Sequence, residues 1–209
     1  MYLFTRSGRF GPGSLRDSMA FTMEVTEKVR QETSLDLHTW QASMSPQVGT
    51  VVWGAFVESL EELEAAQDKL AVSDQFTELA EKGGALFDGP LTDSLATVIH
   101  GERDPGASLP TYISSARATA ANGRLGDAIA GGIEIAEVSA RITGVPSMFM
   151  MDATGPYGGC RWSSGFDDIA ALERAEAALA AKDEWIALID RVGTAFQSGA
   201  TQTIFRRIV

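Results

Sequence analysis

Cysteine is almost absent from the sequence, which holds Cys160 alone among 209 residues. One thiol cannot form a disulfide within the chain, so the sequence predicts a protein of a reducing compartment, the cytoplasm. Apolar runs are short as well, and none approaches the roughly 18 residues that a membrane-spanning helix requires. Residues 1–6 lack the apolar core of a signal peptide and are predicted to begin a strand.

Positive charge is also scarce. Lysine and arginine number 17 against 28 aspartate and glutamate residues, which gives a formal net charge of −11. Nucleic acid is a polyanion that binds to basic surfaces, so this balance argues against nucleic acid as the main partner. The same balance disfavours an anionic membrane surface. The remaining composition, 44% hydrophobic and 22% charged, is typical of a soluble globular protein.

Histidine is the third rarity, with only His38 and His100. The sequence contains no HExxH motif and no cysteine pair, so it offers a poor set of metal ligands. The glycine-rich segment 8–13 precedes a predicted helix, but it matches neither GxGxxG nor the lysine-containing phosphate loop. We therefore expect the protein to need no metal, nucleotide or flavin cofactor.

The sequence does contain an internal repeat. Matching residues are offset by 110 positions at first and by 109 after a single slip. The matched pairs include Tyr2 and Tyr112, Leu15 and Leu125, Pro46 and Pro156, Trp53 and Trp162, and Phe87 and Phe196. We predict two copies of one unit, repeat 1 at residues 1–100 and repeat 2 at residues 111–209. Residues 101–110 hold two prolines and two glycines and are predicted to form the linker.

Each repeat shows the periodicity of a strand, a helix, two strands, a helical region and a strand. Repeat 1 is predicted to form strands at 2–7, 35–44, 50–56 and 94–100, with helices ending at 33, 71 and 82. Repeat 2 is predicted to form strands at 111–117, 146–153, 158–166 and 201–209, with helices at 124–142 and 168–192. Ser14 is the predicted N-cap of the first helix. The residues near helical spacing that predict its buried face are Leu15, Met19, Thr22, Met23, Thr26 and Val29.

The order β-α-β-β-α-β is the ferredoxin-like motif. In both repeats, at 51–63 and 160–172, a strand with tryptophan and phenylalanine continues directly into an acidic helix that contains leucine. Two such units in tandem resemble the dimeric α/β-barrel superfamily, which includes antibiotic-biosynthesis monooxygenases, polyketide cyclases and haem-degrading enzymes. The resemblance implies an α+β fold with two four-stranded antiparallel sheets that face each other as a pseudo-dimeric barrel, helices outside, and a cavity between the sheets.

Oligomeric state and haem follow from the same resemblance. Because a fused pair supplies in one chain what unfused relatives make by dimerising, we expect either a monomeric pseudo-dimer or a homodimer. Haem-degrading members carry an asparagine on the first strand, and residues 2–10 contain none. The predicted helices contain no histidine that would bind haem iron. Both observations argue against haem.

The candidate catalytic residues are the few titratable groups on predicted strands. His38 and His100 are possible general bases near neutral pH, although a histidine at a strand end is also a common surface residue. Asp152 is a possible acid or base if buried, or else the last exposed residue before a turn. Arg6 in a cavity would stabilise a phenolate or enolate oxygen, whereas on an exposed face it would only be solvated.

The candidate substrate-binding residues are aromatic, sulfur-containing or cationic residues on the predicted strands and the turn between two of them. Aromatic and methionine side chains line pockets for flat apolar molecules, but they also fill ordinary cores. The set comprises Trp40, Trp53, Met148, Met150, Tyr157, Arg161 and Trp162. The matched pair of Trp53 and Trp162 favours a structural role, because both repeats keep it.

Two functions stay open at this point. The first is a cofactor-independent tailoring enzyme, an oxygenase, cyclase or isomerase, that acts on a flat, apolar, oxygenated small molecule such as an aromatic polyketide. The second is a non-catalytic protein of the same fold that binds a hydrophobic ligand or a partner. The scarcity of titratable residues on the strands favours the binder, and the divergence between the two repeats at the second strand favours the enzyme.

Overall fold

The computed structural model describes residues 1–13, 15–102, 106 and 108–208. Its elements follow the order predicted for each repeat, so the α+β fold class with tandem ferredoxin-like repeats is confirmed. Repeat 1 contains β1 (Tyr2–Arg9), α1 (Leu15–Thr33), β2 (His38–Ser43), β3 (Thr50–Val57), α2 (Leu60–Ala71), α3 (Asp74–Gly84) and β4 (Thr92–His100). Repeat 2 contains β5 (Tyr112–Thr119), α4 (Leu125–Thr143), β6 (Ser147–Asp152), β7 (Gly159–Phe166), α5 (Ile169–Ala180), α6 (Asp183–Gly193) and β8 (Thr201–Arg207).

Three sequence predictions concern residues outside the described part of the chain. The N-cap predicted at Ser14, part of the linker predicted at 101–110, and the last residue of the final strand belong to this group. The boundaries of the two repeats themselves remain a prediction.

The helical region predicted at 168–192 is two helices, α5 and α6. In repeat 1 the matching break is marked by Ser73, whose side chain accepts a hydrogen bond from the Phe76 N–H and so caps α3. In repeat 2 the capping position is Lys182, which makes no side-chain cap bond. The usual signal for a helix start is therefore missing from the sequence at this break.

Contacts divide the chain into two units, and the division falls inside β4. Among the described residues, unit 1 comprises the chain up to Leu95 together with Arg207 and Ile208, and unit 2 comprises Ala96–Arg206. In unit 2 the end of β4 pairs with β6, with Ala96 opposite Asp152. In unit 1 the Ile208 N–H donates to the Thr39 carbonyl of β2 at 2.8 Å. Each unit therefore includes a strand end from the other repeat.

The sheet of unit 1 is antiparallel and is centred on β3. β1 pairs with β3 along its whole length, from Tyr2 opposite Val57 to Arg9 opposite Thr50, and β2 pairs with the other edge of β3. Alternate residues of β3 point to opposite faces. Trp53 lies on the face that packs with Val29 of α1.

Unit 2 repeats this arrangement around β7. β5 and β6 pair with the two edges of β7, and β8 pairs with the free edge of β5. The helix side of the sheet buries Cys160 and Trp162 of β7 together with Phe149 of β6 and Ala136 of α4. The matched tryptophans thus occupy the same place in both units.

The face that α1 buries is largely polar, and it agrees with the sequence prediction at Thr22, Thr26 and Val29. The prediction is wrong at two apolar positions. Leu15 and Met23 are 61% and 50% exposed. The buried residues of α1 are instead Ser18, Thr22, Thr26, Val29 and Thr33. The hydroxyls of Thr22 and Thr26 donate to carbonyls four residues earlier at 2.8 and 2.7 Å, so these groups are buried with hydrogen bonds. The predicted spacing thus included the two central threonines and left out Ser18 and Thr33.

The polar contact between α1 and β2 is replaced by an apolar one in repeat 2. The hydroxyls of Thr26 and Thr39 are 2.5 Å apart and both residues are fully buried. The matched positions in repeat 2 hold Ala136 and Phe149, which are also fully buried. The Phe149 ring lies against Gly132, where an added Cβ would overlap the ring. A small residue on the helix is therefore required beneath this phenylalanine.

This packing predicts the effect of Gly132→Ala. The substitution favours the helix but forces the fully buried Phe149 ring to move, so we expect a loss of about 1–3 kcal/mol in the free energy of unfolding. Gly126→Ala is the matched control in the same helix, because nothing lies within 4 Å of a Cβ added there. Chemical denaturation of both variants measures the difference. Equal stability of the two variants would show that Phe149 does not restrict position 132.

Candidate functional site

Unit 1 contains a cavity of about 380 Å³ between its strands and its helices. Residues of β1, β3, α1, α2 and α3 line it, together with the segment that leads into β4. Its lining is mainly apolar, with the aromatic residues Phe4, Phe21, Trp53, Phe76 and Phe87. Polar side chains are contributed by Arg6 and Gln67. A cavity of this size and lining suits a flat apolar molecule with few polar groups.

Glycines of unit 1 make room for the aromatic wall. A Cβ at Gly8 would overlap the side chains of Leu91 and Phe87, and one at Gly83 would overlap the Phe21 ring. In repeat 2 the large and the small residue of the second contact are exchanged. Gly131 stands at the position of Phe21, and Val192 stands at the position of Gly83, 3.1 Å from a Cβ added at Gly131.

The two matched tryptophans differ in their hydrogen bonding. Trp162 donates its Nε1–H to the carbonyl of Gly132 on α4 at 2.8 Å. Trp53 is 4% exposed, and its buried Nε1 has no acceptor among the described residues. The carbonyl that matches Gly132 is that of Thr22, and it accepts the hydroxyl of Thr26 at 2.7 Å. The carbonyl that matches the acceptor of Trp162 thus already accepts a side-chain hydrogen bond in repeat 1.

Each indole ring also meets a phenylalanine edge to face, and Trp162 has a second ring contact, with Phe149 at 5.2 Å. Trp53 meets Phe87 edge to face with ring centroids 5.8 Å apart, and Trp162 meets Phe196 in the same way at 5.5 Å. A buried indole N–H without an acceptor costs roughly 1–3 kcal/mol. Trp53 also lines the cavity, so its unpaired N–H belongs to the cavity wall.

Arg6 is the cationic group of the cavity. Its Nε and Nη2 donate to the two carboxylate oxygens of Asp93, both at 2.7 Å. These hydrogen bonds raise the pKa of Arg6, and desolvation opposes them, so the guanidinium is charged at every physiological pH. The Arg6 and Asp93 side chains are 39% and 45% exposed, and the guanidinium lies 6.0 Å from the centroid of the Phe4 ring.

The candidate bases lie outside the lining of this cavity. His38 is the first residue of β2; its Nδ1 is 2.8 Å from Arg30 Nη2, and its Nε2 is 2.6 Å from Asp36 Oδ1. Trp40, two residues along the same strand, is buried at 8% exposure. His100 is half-buried at the end of β4 in unit 2, beside a β-bulge. The structure does not bring the two histidines together within either unit.

Unit 2 brings a second group of the predicted residues together. Asp152 and Arg161 form an ion pair in which the side chains are 8% and 3% exposed. Met150 lies opposite Arg161 and is fully buried, whereas Met148 is half-buried. Tyr157, in the turn between β6 and β7, is 90% exposed. The sequence prediction did not include Arg117, which lies directly opposite Arg161 on β5.

Cys160 is buried on the helix side of unit 2. Desolvation, reinforced by the negative charge of Asp152, raises the pKa of this thiol to about 11. The thiol is therefore protonated at neutral pH and is not a nucleophile.

Metal-binding and membrane-spanning features are missing from the described part of the chain. No three His, Cys, Asp or Glu side chains there are grouped as a metal site requires. None of the helices described above is long and apolar enough to cross a membrane.

Sequence comparison identifies no match: no protein-family model matches the chain, and no curated protein does. Structural comparison does identify similar proteins. A candidate monooxygenase of Fusobacterium nucleatum aligns with 100% of this chain and 92% of its own, at a TM-score of 0.72 and 8% identity. An anthrone oxidase-like protein aligns with 99% of this chain and 90% of its own, at a TM-score of 0.68 and 13% identity.

A candidate monooxygenase of Lactobacillus acidophilus aligns with 100% of this chain and 94% of its own, at a TM-score of 0.64 and 4% identity. Identities this low establish the fold and no more. These proteins are of the dimeric α/β-barrel, ferredoxin-like type, so the resemblance inferred from the sequence is confirmed at the level of the fold.

Proposed function

We propose that the protein is a monooxygenase-type tailoring enzyme, and that it binds a flat, apolar, oxygenated small molecule in the cavity of unit 1. The observation that carries the proposal is Trp53, which lines an aromatic cavity and whose buried N–H has no acceptor among the described residues. The whole-chain fold similarity to candidate monooxygenases and to an anthrone oxidase-like protein supports this class of reaction.

The lining of the cavity suggests how such a reaction would proceed without a prosthetic group. Oxygen reacts readily with an electron-rich carbanion or enolate, so the substrate must first lose a proton. The positive charge of Arg6 would stabilise the resulting anion, and the N–H of Trp53 would donate to its oxygen atom. No carboxylate or imidazole belongs to the described lining. We therefore infer a substrate whose C–H or O–H is itself acidic, such as an aromatic polyketide with a keto–enol centre.

The other candidate residues lie outside the lining of this cavity, and their roles are proposals. His38 and His100 are the remaining candidate bases. Trp40 and the unit 2 residues Met148, Met150 and Trp162 are the remaining candidate apolar contacts, and Tyr157 is a candidate polar one. A cyclase or isomerase would use the same cavity without oxygen. The cytoplasmic location and the monomeric pseudo-dimer or homodimer also remain predictions.

A non-catalytic binder is the second candidate function. The observation that favours it is the described cavity lining, which supplies a cation and a hydrogen-bond donor but no proton acceptor of suitable pKa. Such a lining is sufficient to hold a carbonyl compound without transforming it. Turnover, rather than binding, therefore distinguishes the two functions.

Anthrone is a suitable first probe, because it is flat, apolar and readily enolised. We expect the protein to bind anthrone and to convert it to anthraquinone in air but not under nitrogen. Trp53→Phe and Arg6→Gln should each lower kcat/KM by roughly tenfold or more, because each removes a hydrogen bond or a charge from the developing anion. Product absorbance and oxygen consumption measure the reaction.

The control for these variants is Arg141→Gln, which alters an exposed ion pair with Glu184 on the helices of unit 2. It should leave turnover unchanged. Binding of anthrone without product in either atmosphere would decide for the binder. Conversion of anthrone to its enol tautomer, anthranol, at equal rates under air and nitrogen and without oxygen consumption would decide for an isomerase. Failure of the probe to bind at all, or binding unaffected by Trp53→Phe, would contradict the assignment of this cavity.

The unequal hydrogen bonding of the two tryptophans predicts unequal stability of their phenylalanine variants. Both substitutions remove similar volume, but only Trp162→Phe breaks a hydrogen bond, to the Gly132 carbonyl, and it also alters the ring contact with Phe149. Trp162→Phe should therefore lower the free energy of unfolding by about 1–3 kcal/mol more than Trp53→Phe does.

Thermal and urea unfolding of the ligand-free variants measures this difference. If Trp53→Phe proves as destabilising as Trp162→Phe, then Trp53 N–H has a partner of comparable strength in the free protein. That result would remove the main support for a ligand oxygen at this position.

A further inference from the structure

Arg117 and Arg161 share one face of the unit 2 sheet. They lie opposite each other on β5 and β7. The residues on either side of them, Ala116 and Ala118 on β5 and Cys160 and Trp162 on β7, pack on the helix side. Because neighbouring residues of a strand point to opposite faces, both arginines point away from the helices.

Asp152 joins this face and pairs with one of the two arginines. Its carboxylate contacts Arg161 Nε, and both side chains are almost fully buried. A Cβ at Gly159 would overlap the Asp152 carboxylate, so only glycine allows the carboxylate to lie there. The ion pair is therefore held tightly in a partly desolvated place, and Asp152 compensates the charge of Arg161.

Arg117 has no carboxylate partner among the described residues. Within the described part of the chain it has no ion pair and no side-chain hydrogen bond, and it is exposed. Desolvation and then the like charge of Arg161 lower its pKa, and Asp152 opposes them. Arg117 thus places a second positive charge beside that of Arg161, on an exposed side chain. A cation in such a place gains most from an anionic partner.

The fold does not need these charges. The matched positions in repeat 1 hold Ser7 for Arg117, Val52 for Arg161 and Ala42 for Asp152. The same strands therefore pair in repeat 1 with small or apolar side chains on this face. A structural ion pair would require one arginine, and the second adds repulsion to it. The second arginine is the feature that a structural role leaves unexplained.

We propose that Arg117, supported by the Arg161–Asp152 pair, binds the carboxylate of a small molecule on this face of the unit 2 sheet. A planar guanidinium presents two parallel N–H groups that fit the two oxygens of a carboxylate. The site lies in unit 2 and is independent of the function proposed for the cavity of unit 1.

Benzoate titration of ¹⁵N-labelled protein at constant ionic strength tests this site. We expect saturable changes in the NMR signals of Arg117 and Arg161, and a dissociation constant at least tenfold higher in Arg117→Gln. Arg117→Lys keeps the charge but loses the paired N–H groups, so it should bind benzoate with intermediate affinity. Arg141→Gln is the matched control and should bind as the unaltered protein does. Circular dichroism verifies that each variant is folded.

Neutral benzamide and inorganic phosphate complete the experiment. Benzamide should leave the Arg117 and Arg161 signals unchanged, and phosphate should shift them only without saturation. The carboxylate site is wrong if benzoate binds Arg117→Gln as well as the unaltered protein, if the Arg117 signals do not move, or if phosphate alone saturates them. Benzoate that enters the unit 1 cavity would move the Trp53 indole signal instead. The outcome for this site is thus separate from the outcome for the cavity.

Discussion

The indole N–H of the tryptophan on the third strand of each repeat needs an acceptor once it is buried. In repeat 2 the helix above it supplies the Gly132 carbonyl. In repeat 1 the corresponding carbonyl of Thr22 is engaged by the hydroxyl of Thr26, whose other contact is the hydroxyl of Thr39. The pair of threonines secures α1 to β2, and it does so at the expense of the tryptophan. The exchange of Thr26 and Thr39 for Ala136 and Phe149 thus changes how the helix packs on the sheet. It accompanies a buried indole N–H without an acceptor in the wall of the cavity.

Other differences between the repeats are exchanges of large and small side chains at positions that pack against each other. Where repeat 2 inserts Phe149 over Gly132, repeat 1 has the smaller Thr39 and the larger Thr22. Where repeat 1 places Phe21 against Gly83, repeat 2 places Gly131 against Val192. Such exchanges keep each interior filled while they change its shape, as close-packed interiors require. Unit 1 retains a cavity of about 380 Å³ among its aromatic side chains. Duplication explains how one repeat can diverge in this way while the matched copy preserves the same order of elements.

The sequence predicted the order of elements because the signals involved are local. Alternation along β3 and β7, turns at Pro46 and Pro156, and the ordered matches between the repeats each depend on neighbouring residues. The buried face of α1 was predicted in part: its spacing identified Thr22, Thr26 and Val29. Leu15 and Met23 were wrongly included, because an apolar residue on a helix is not always buried. The break between α5 and α6 escaped prediction because Lys182 carries no capping side chain.

Sequence analysis identified the candidate site only at residues whose own chemistry indicates a role. Trp53 and Arg6 were selected because aromatic and cationic groups on strands suit an oxygenated ligand, and both line the cavity. Phe21, Phe76 and Phe87 were not selected, since their contribution depends on how three helices and two strands meet. Arg117 was missed because its significance arises from the residue opposite it on β7, and strand register is not a local property.

The fold by itself does not determine a chemistry, because many unrelated reactions occur on one architecture. What distinguishes this chain is the placement of polar groups that the fold does not require. Repeat 1 has a tryptophan N–H without an acceptor and an arginine in an apolar cavity. In repeat 2 the tryptophan N–H has an acceptor. Repeat 2 also carries three charged residues, Arg117, Asp152 and Arg161, at positions where repeat 1 has uncharged ones. Each feature lowers the stability of the free protein relative to its counterpart in the other repeat, since an unpaired donor and a like-charge pair are both unfavourable. A cost that one copy bears and the other avoids is not required by the shared fold, and it supports the proposal of a ligand at each of the two places.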